Sequence, residues 1–173
     1  MMEYRFSLEV TAEQRDSAFL ISGPSSLTKG RQVYVLESFE DKDQRTFEIR
    51  YDHHCSPFKE IRRVLDHLFV GHEQHLYVFN LMHERPMQVL EMWGYFGHLY
   101  EHENLVYATG MSELICLSID GEIRWSRKDL GIDGVIIERF EDDILWGAGE
   151  WDPPDGWREF RLDRLSGEGL TWG

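Results

Sequence analysis

The sequence predicts an all-β chain of repeated four-stranded antiparallel meanders, arranged as a small β-propeller of about four blades or as an open, curved stack of sheets. Three observations carry this expectation. Segments of the chain align at a near-constant spacing, apolar and polar residues alternate within them with period two, and hairpin-type turns separate the alternating runs. The aligned segments begin at Glu60, His98 and Ile136. Each holds a run that closes on glycine, HLFVG, NLVYATG and DILWGAG, followed by a second alternating run, HLYVFNL, ELICLSI and REFRLDRL. A turn and a short last run follow: PMQVL, EIRW and GLTW. With Leu68, Leu105 and Ile144 taken as equivalent, the spacings are 37 and 39 residues, close to the period of propeller blades.

The first 57 residues fit the same scheme less clearly. EYRFSLEV, SAFLISG, RQVYVLESF and RTFEIRYD are four candidate strands in order, with good alternation in the last two. The 173 residues then form a single repeat domain with units at about 1–57, 58–93, 94–131 and 132–173, and about 16 short strands. The connections agree, since EDKDQ, Asp120-Gly121 and SGEG at 166–169 are turn-forming sequences. One segment competes. SPFKEIRRVLDHLF places Phe58, Ile61, Val64, Leu65 and Leu68 at helical spacing after a proline, whereas the repeat register requires strand there.

LSIDGEIRW (117–125) and LDRLSGEGLTW (162–172) resemble the repeats of PQQ-type quinoprotein β-propellers, whose blades end in a pattern like Asp-x-x-Thr-Gly-x-x-x-Trp. Asp163, Ser166, Gly167 and Trp172 fall near that pattern, and Asp120, Gly121 and Trp125 form a shortened version. The resemblance spans residues 98–172. It implies blade-like sheets in which the Trp packs a hairpin against the neighbouring blade. Quinone-binding members of that group are much longer, and no quinone or calcium site is implied here.

Charge narrows the partners. Lys and Arg number 18 against 32 Asp and Glu, a formal charge of −14. Residues 101–173 alone hold 17 acids and 7 bases, a net of −10. Such a field opposes attraction to nucleic acid and to anionic membrane surfaces, and favours a basic protein partner or simply solubility. MMEYRFSLEV lacks a basic stretch followed by an apolar one, and no apolar run is long enough to span a bilayer. Cys55 and Cys116 stand outside any CxxC motif. Two free thiols in the cytoplasm is the expected state. The oligomeric state is not legible.

Catalytic signatures are missing: there is no GxSxG elbow, Gly-rich phosphate loop or DxDxDG loop. The expectation is a protein without catalytic residues, cofactor or bound metal. All eight histidines lie between His53 and His102. Zinc favours such donors, yet none has the spacing of a zinc finger or of HExxH.

The stretch GEWDPPDGW (149–157) lengthens the turn between the second and third runs of the last unit, where the equivalents are GHEQH and TGMSE. Two prolines hold an extended tip, and a rigid tip loses little entropy on docking. Trp151 and Trp157 either fold inward to cover the sheet edge or offer aromatic contact beside Glu150, Asp152 and Asp155. Glu141, Asp142 and Asp143 form a second acidic turn, most simply a solvated hairpin tip and, in the functional reading, a landing point for a basic partner. These eight residues are the expected contact surface for a basic partner. The expected function is that of a small acidic binding module of the immunity-protein or antitoxin kind, with a propeller-like adaptor and a metal- or ligand-binding enzyme as alternatives.

Overall fold

A computed structural model describes residues 2–154 and 156–171. These residues are all-β apart from one short helix, α1 (Ala12–Asp16), and a 3-10 turn at Pro24–Ser26. The first sheet comprises β1 (Met2–Ser7), β2 (Phe19–Leu20), β3 (Arg31–Phe39) and β4 (Lys42–Tyr51). β5 (Lys59–Val64), β6 (His67–His72), β7 (His75–Asn80) and β8 (Arg85–Glu91) make the second. The third holds β9 (Phe96–His102), β10 (Leu105–Gly110), β11 (Leu114–Ser118) and β12 (Ile123–Arg127). The fourth holds β13 (Val135–Glu141), β14 (Ile144–Glu150) and β15 (Trp157–Asp163).

The second and third sheets are antiparallel meanders in chain order, as the repeat pattern predicts. The segment with helical spacing is a hairpin, in which Ile61 pairs with Val70 and Val64 with His67. Leu65, which completed the helical pattern, occupies the tip of this hairpin at φ +51°, with 67% of its surface exposed. Two units depart from a simple meander. In the first sheet the order is β1-β3-β4-β2, and β2 pairs parallel to β4. The fourth sheet has three strands, and its last run contributes only the bridge from Leu162 to Gly169 among the described residues.

Apolar alternation places each core between neighbouring sheets. Val33, Val35, Phe47 and Ile49 of the first sheet pack on Leu68, Val70, Tyr77 and Phe79 of the second. Phe69, Leu76 and Val78, on the opposite face of the second sheet, meet Leu99, Val106, Ala108 and Leu117. Tyr107, Leu114 and Cys116 then meet Val135, Ile137, Leu145 and Leu162. The three cores follow one another, and among the described residues none joins the fourth sheet to the first. The sheets form an open stack.

The first strands of successive units line the inner side. β5 packs beside β9, and β9 beside β13. Glu60 bridges the first pair, accepting from the Leu99 amide at 2.7 Å while its other oxygen meets His98 Nδ1 at 2.9 Å. Lys59 Nζ lies 5.1 Å from the Phe6 ring, which puts β1 on the same inner side. The turn after the third strand of each later unit docks on the preceding sheet. Arg45 donates to the Leu81 carbonyl at 3.2 Å. A Cβ at Gly121 would meet Val78 at 2.7 Å, and one at Gly167 would meet Trp125 at 2.6 Å. Trp125 Nε1 also donates to the Arg164 carbonyl at 3.1 Å. This tryptophan therefore fastens its sheet to the next hairpin. Trp172 lies outside the described residues.

The two ends of the stack differ. In the first sheet β3 is buried on both faces: Val33 and Val35 enter the core, and Tyr34 and Leu36 on the other face are buried as well. Helix α1 lies against β4, with Gln14 Nε2 donating to Asp43 at 2.8 Å. In the fourth sheet, Ile136, Trp146 and Trp157 lie on the face turned away from the third sheet and are half-buried or exposed. Among the described residues no helix is long and apolar enough to cross a membrane.

Candidate functional site

The turn 151–156 joins β14 to β15, whose flanking residues Glu150 and Trp157 pair across the ladder. It folds back on itself: the Trp151 amide donates to the Gly156 carbonyl at 2.9 Å, and the Gly156 amide to Asp152 at 3.0 Å. Asp152, Pro153 and Pro154 are exposed. The two tryptophans have separate environments. Trp151 is half-buried with the Arg158 guanidinium 5.8 Å from its ring centre. Trp157 is 42% exposed. Asp155 lies outside the described residues.

Glu141, Asp142 and Asp143 form the turn at the other end of β14, with Asp142 at φ +51°. Seven residues of strand hold the two turns about 20 Å apart. The expected contact residues are thus two patches rather than one. The 141–143 turn is also partly neutralised from within. Arg164, a buried residue, donates to the Asp142 carbonyl at 3.0 Å, to Asp143 at 3.2 Å and to Glu103 at 2.8 Å. Glu141 takes Arg139 Nε at 3.1 Å. At the 150–157 end, Glu150 and Trp157 border a cleft of about 170 Å³ that residue spacing alone did not bring into view.

That cleft lies where the chain enters the inner strands of three successive units. Phe58 precedes β5, Tyr95 precedes β9, and Asp133 and Gly134 precede β13. Phe58, 41% exposed, has its ring centre 5.1 Å from His98 and 6.2 Å from Tyr95. The Tyr95 hydroxyl donates to the Asp133 carbonyl at 2.6 Å and lies 3.4 Å from Asp133 Oδ1. Burial and the charges of Asp133 and Glu150 push this phenol up to about 12, so both carboxylates act on one point. A Cβ at Gly134 would lie 3.2 Å from Trp157 Cη2, so the indole closes over bare backbone.

The histidines take other partners. His54 Nδ1 meets Glu73 at 2.7 Å and His67 Nε2 meets Asn80 at 2.9 Å. His102 stacks on Phe140 with ring centres 4.4 Å apart. Among the described residues no three His, Cys, Asp or Glu side chains converge as metal ligands would.

Two carboxylates missed by sequence reasoning organise the linkers. Glu73, in the turn between β6 and β7, accepts the Cys55 and Ser56 amides at 2.6 and 3.1 Å. Glu113, in the turn before β11, accepts the Trp93 amide at 2.5 Å. Both are buried, at 4% and 1% exposure. The signal was their shared place just after the glycine-closed run, HLFVG in one unit and NLVYATG in the next.

No protein-family model matches the chain, and no curated protein matches it. Among solved structures it is similar to hydrazine synthase of Kuenenia stuttgartiensis, with TM-score 0.54, 12% identity and 81% of this chain covered. It is also similar to the dihydro-heme d1 dehydrogenase NirN in complex with DHE, with TM-score 0.54, 12% identity and 82% of this chain covered. The chain spans 42% and 33% of the lengths of those chains. At this identity the likeness shows the fold alone, and both neighbours are β-propeller proteins.

Proposed function

We propose that this chain is a small acidic protein-binding module that covers a basic surface of its partner, in the manner of an immunity protein or antitoxin, and acts in the cytoplasm. One observation carries the reading: Trp157, 42% exposed, stands beside Glu150 and the acidic 151–156 turn, on the face of the fourth sheet that no other sheet covers among the described residues. An exposed indole beside carboxylates suits a Lys- or Arg-rich surface through cation–π contact and charge-assisted hydrogen bonds. The formal charge of −14 supports steering of such a partner. Two unpaired thiols suit a reducing compartment. The likeness of residues 98–172 to PQQ-type repeats belongs to this reading as a way of stacking blades, and carries no quinone chemistry into it.

The test is affinity capture from native cytoplasm, with the wild-type chain and a variant neutralised at Glu141, Asp142 and Asp152 as parallel baits. A stoichiometric basic protein, released at high salt and retained less by the variant, is the expected result, since exposed charges are screened over about 8–10 Å at ordinary ionic strength. A partner without basic excess, equal retention by the two baits, or recovery of the bait alone overturns the reading. A second reading, a propeller-like adaptor in a larger assembly, is favoured by the contrast between the covered first sheet and the uncovered face of the fourth. A partner that buries Trp146 and leaves the 151–156 turn exposed would establish it.

A further inference from the structure

We propose that the cleft between Tyr95 and Trp157 binds the alkylammonium group of one lysine side chain. This rests on the reading that the partner is basic, and identifies the contact that partner makes. Four observations converge. Aromatic rings form much of the wall: Phe58 and Trp157 are each about two-fifths exposed, and Tyr95 and His98 stand with them beside Val135 and Ile136. Two carboxylates, Asp133 and Glu150, border the same space and bear on the same phenol. No Lys or Arg is among the described residues lining it. Of the cations next in sequence to lining residues, Lys59 lies over the Phe6 ring and Arg158 over Trp151.

An aromatic-walled recess with negative charge at its rim attracts a cation through the ring quadrupoles and the carboxylates together. Its apolar walls accept the methylene stem of lysine, which buries its chain while the charged head stays near polar groups. The volume of about 170 Å³ is below that of sites for cofactors or drug-sized ligands, roughly 300–1,000 Å³, and suits a single side chain. The glycine at 134 maintains the opening. Any side chain there would press on the Trp157 ring at about the 3.2 Å approach of a Cβ. The main chain at Glu150 is already committed, its carbonyl accepting from Ile132 at 2.7 Å and its amide donating to Gly134 at 2.9 Å. The rim is therefore held in place before a ligand arrives.

The probe is a short neutral-ended peptide with one central lysine, titrated into the full chain while the Trp157 indole and Gly134 amide resonances are followed by NMR. Saturable shifts at those two positions are expected, with a dissociation constant on the order of 1–10 mM for a single side chain. The same peptide with norleucine in place of lysine should bind at least tenfold more weakly. Asp133→Asn and Trp157→Ala should each weaken the lysine peptide at least threefold. Trp157→Phe, which keeps a ring and guards against a variant that misfolds, should weaken it less. Equal binding of the norleucine peptide, shifts confined to other surfaces, or variants that bind as well as wild type would overturn the proposal. Free n-butylamine separates the sources: if it binds as tightly as the peptide, the cleft serves small amines rather than a lysine of a protein. The outcomes also separate this proposal from the reading beneath it. A captured basic partner indifferent to Trp157→Ala removes the cleft but keeps the module. A lysine-binding cleft in a chain that captures no partner does the reverse.

Discussion

The carboxylate of Glu113 accepts the Trp93 amide at 2.5 Å, fastening the strand-to-strand turn of the third sheet to the linker that leads into it. Glu73 does the same in the second sheet for Cys55 and Ser56. These two carboxylates carry equivalent loads in unequal surroundings. Burial holds the Glu113 carboxyl above its ordinary value, with the Trp93 amide and the charge of Lys128 as the opposing influences. For Glu73 burial is the largest single effect, but the Cys55 amide, His54 and the Ser56 amide together outweigh it and hold the carboxyl low.

Opposite pH responses follow. Glu113 is protonated in the folded chain at a pH where the unfolded chain, titrating near 4.5, is still ionised. Stability from this group therefore rises as pH falls toward 4.5. Glu73 is the reverse: the unfolded chain takes up the proton first, so its contribution is present above 4.5 and is lost as pH falls below it. Urea unfolding of Glu113→Gln and Glu73→Gln against wild type across this range measures both. The wild type should gain on Glu113→Gln during acidification and lose ground to Glu73→Gln below pH 4.5. Glu73→Ala, which strips two amides of their acceptor, should cost about 1–3 kcal/mol at neutral pH.

Cys55 is exposed, yet desolvation and the neighbouring Glu73 charge raise its thiol to about 11. Only the thiolate reacts with alkylating reagents. At pH 8, carboxymethylation of Cys55 should be slower than that of free cysteine by roughly tenfold or more. Glu73→Gln should accelerate it. Alkylation at the free-cysteine rate in the wild type would show that the carboxylate does not govern the thiol.

His72 is buried between the rings of Tyr51 and Phe6, with ring centres 4.7 and 5.8 Å away, and its Nδ1 has no hydrogen-bond partner among the described residues. Desolvation lowers its pKa to about 4 against the opposing charge of Glu73. The unfolded chain therefore binds a proton between pH 6.5 and 4 that the folded chain refuses, and stability falls across that window by up to roughly 3 kcal/mol. His72→Phe, of similar shape, should flatten the profile between pH 6.5 and 4 relative to wild type. An unchanged slope would assign the acid sensitivity to other groups.

Period-two alternation and the Gly-closed runs made most of the sheet pattern legible, because a half-buried strand writes its facing into every second residue. Leu65 misled in the opposite direction, since a hairpin tip can carry an exposed leucine that happens to complete a helical stripe. Helix α1 was legible but overlooked: Thr11 and Gln14 form a reciprocal capping box, the signature of a helix start. The reordered first sheet was not legible, as strand pairing depends on contacts between distant runs. The cleft was hidden for the same reason. Phe58, Tyr95 and the pair Asp133 and Trp157 belong to three successive units, and only stacking brings them together. The acidic residues of 141–143 and 150–157 looked like one surface because they are close in sequence, whereas an extended strand separates them.

The shortened repeat ending at Trp125 can be tested as a staple between sheets. Its indole packs against Gly167, donates to the Arg164 carbonyl, and lies 6.1 Å from the Tyr107 ring centre. Gly167 has φ +73° and its turn is tied by Asp163, which accepts from the Leu165 and Ser166 amides at 3.0 and 2.8 Å. Trp125→Ala should cost about 3 kcal/mol, from lost packing and an unfilled space. Gly167→Ala should cost about 1–2 kcal/mol from backbone strain, with an added penalty because its Cβ would sit 2.6 Å from the indole. Only the second part depends on Trp125. In the Trp125→Ala background, Gly167→Ala should therefore cost less than in wild type, leaving the backbone strain alone. A double-mutant cycle by urea denaturation measures the difference. Strict additivity would mean that the tryptophan does not press on this hairpin, and that the sheets are held by their apolar cores alone.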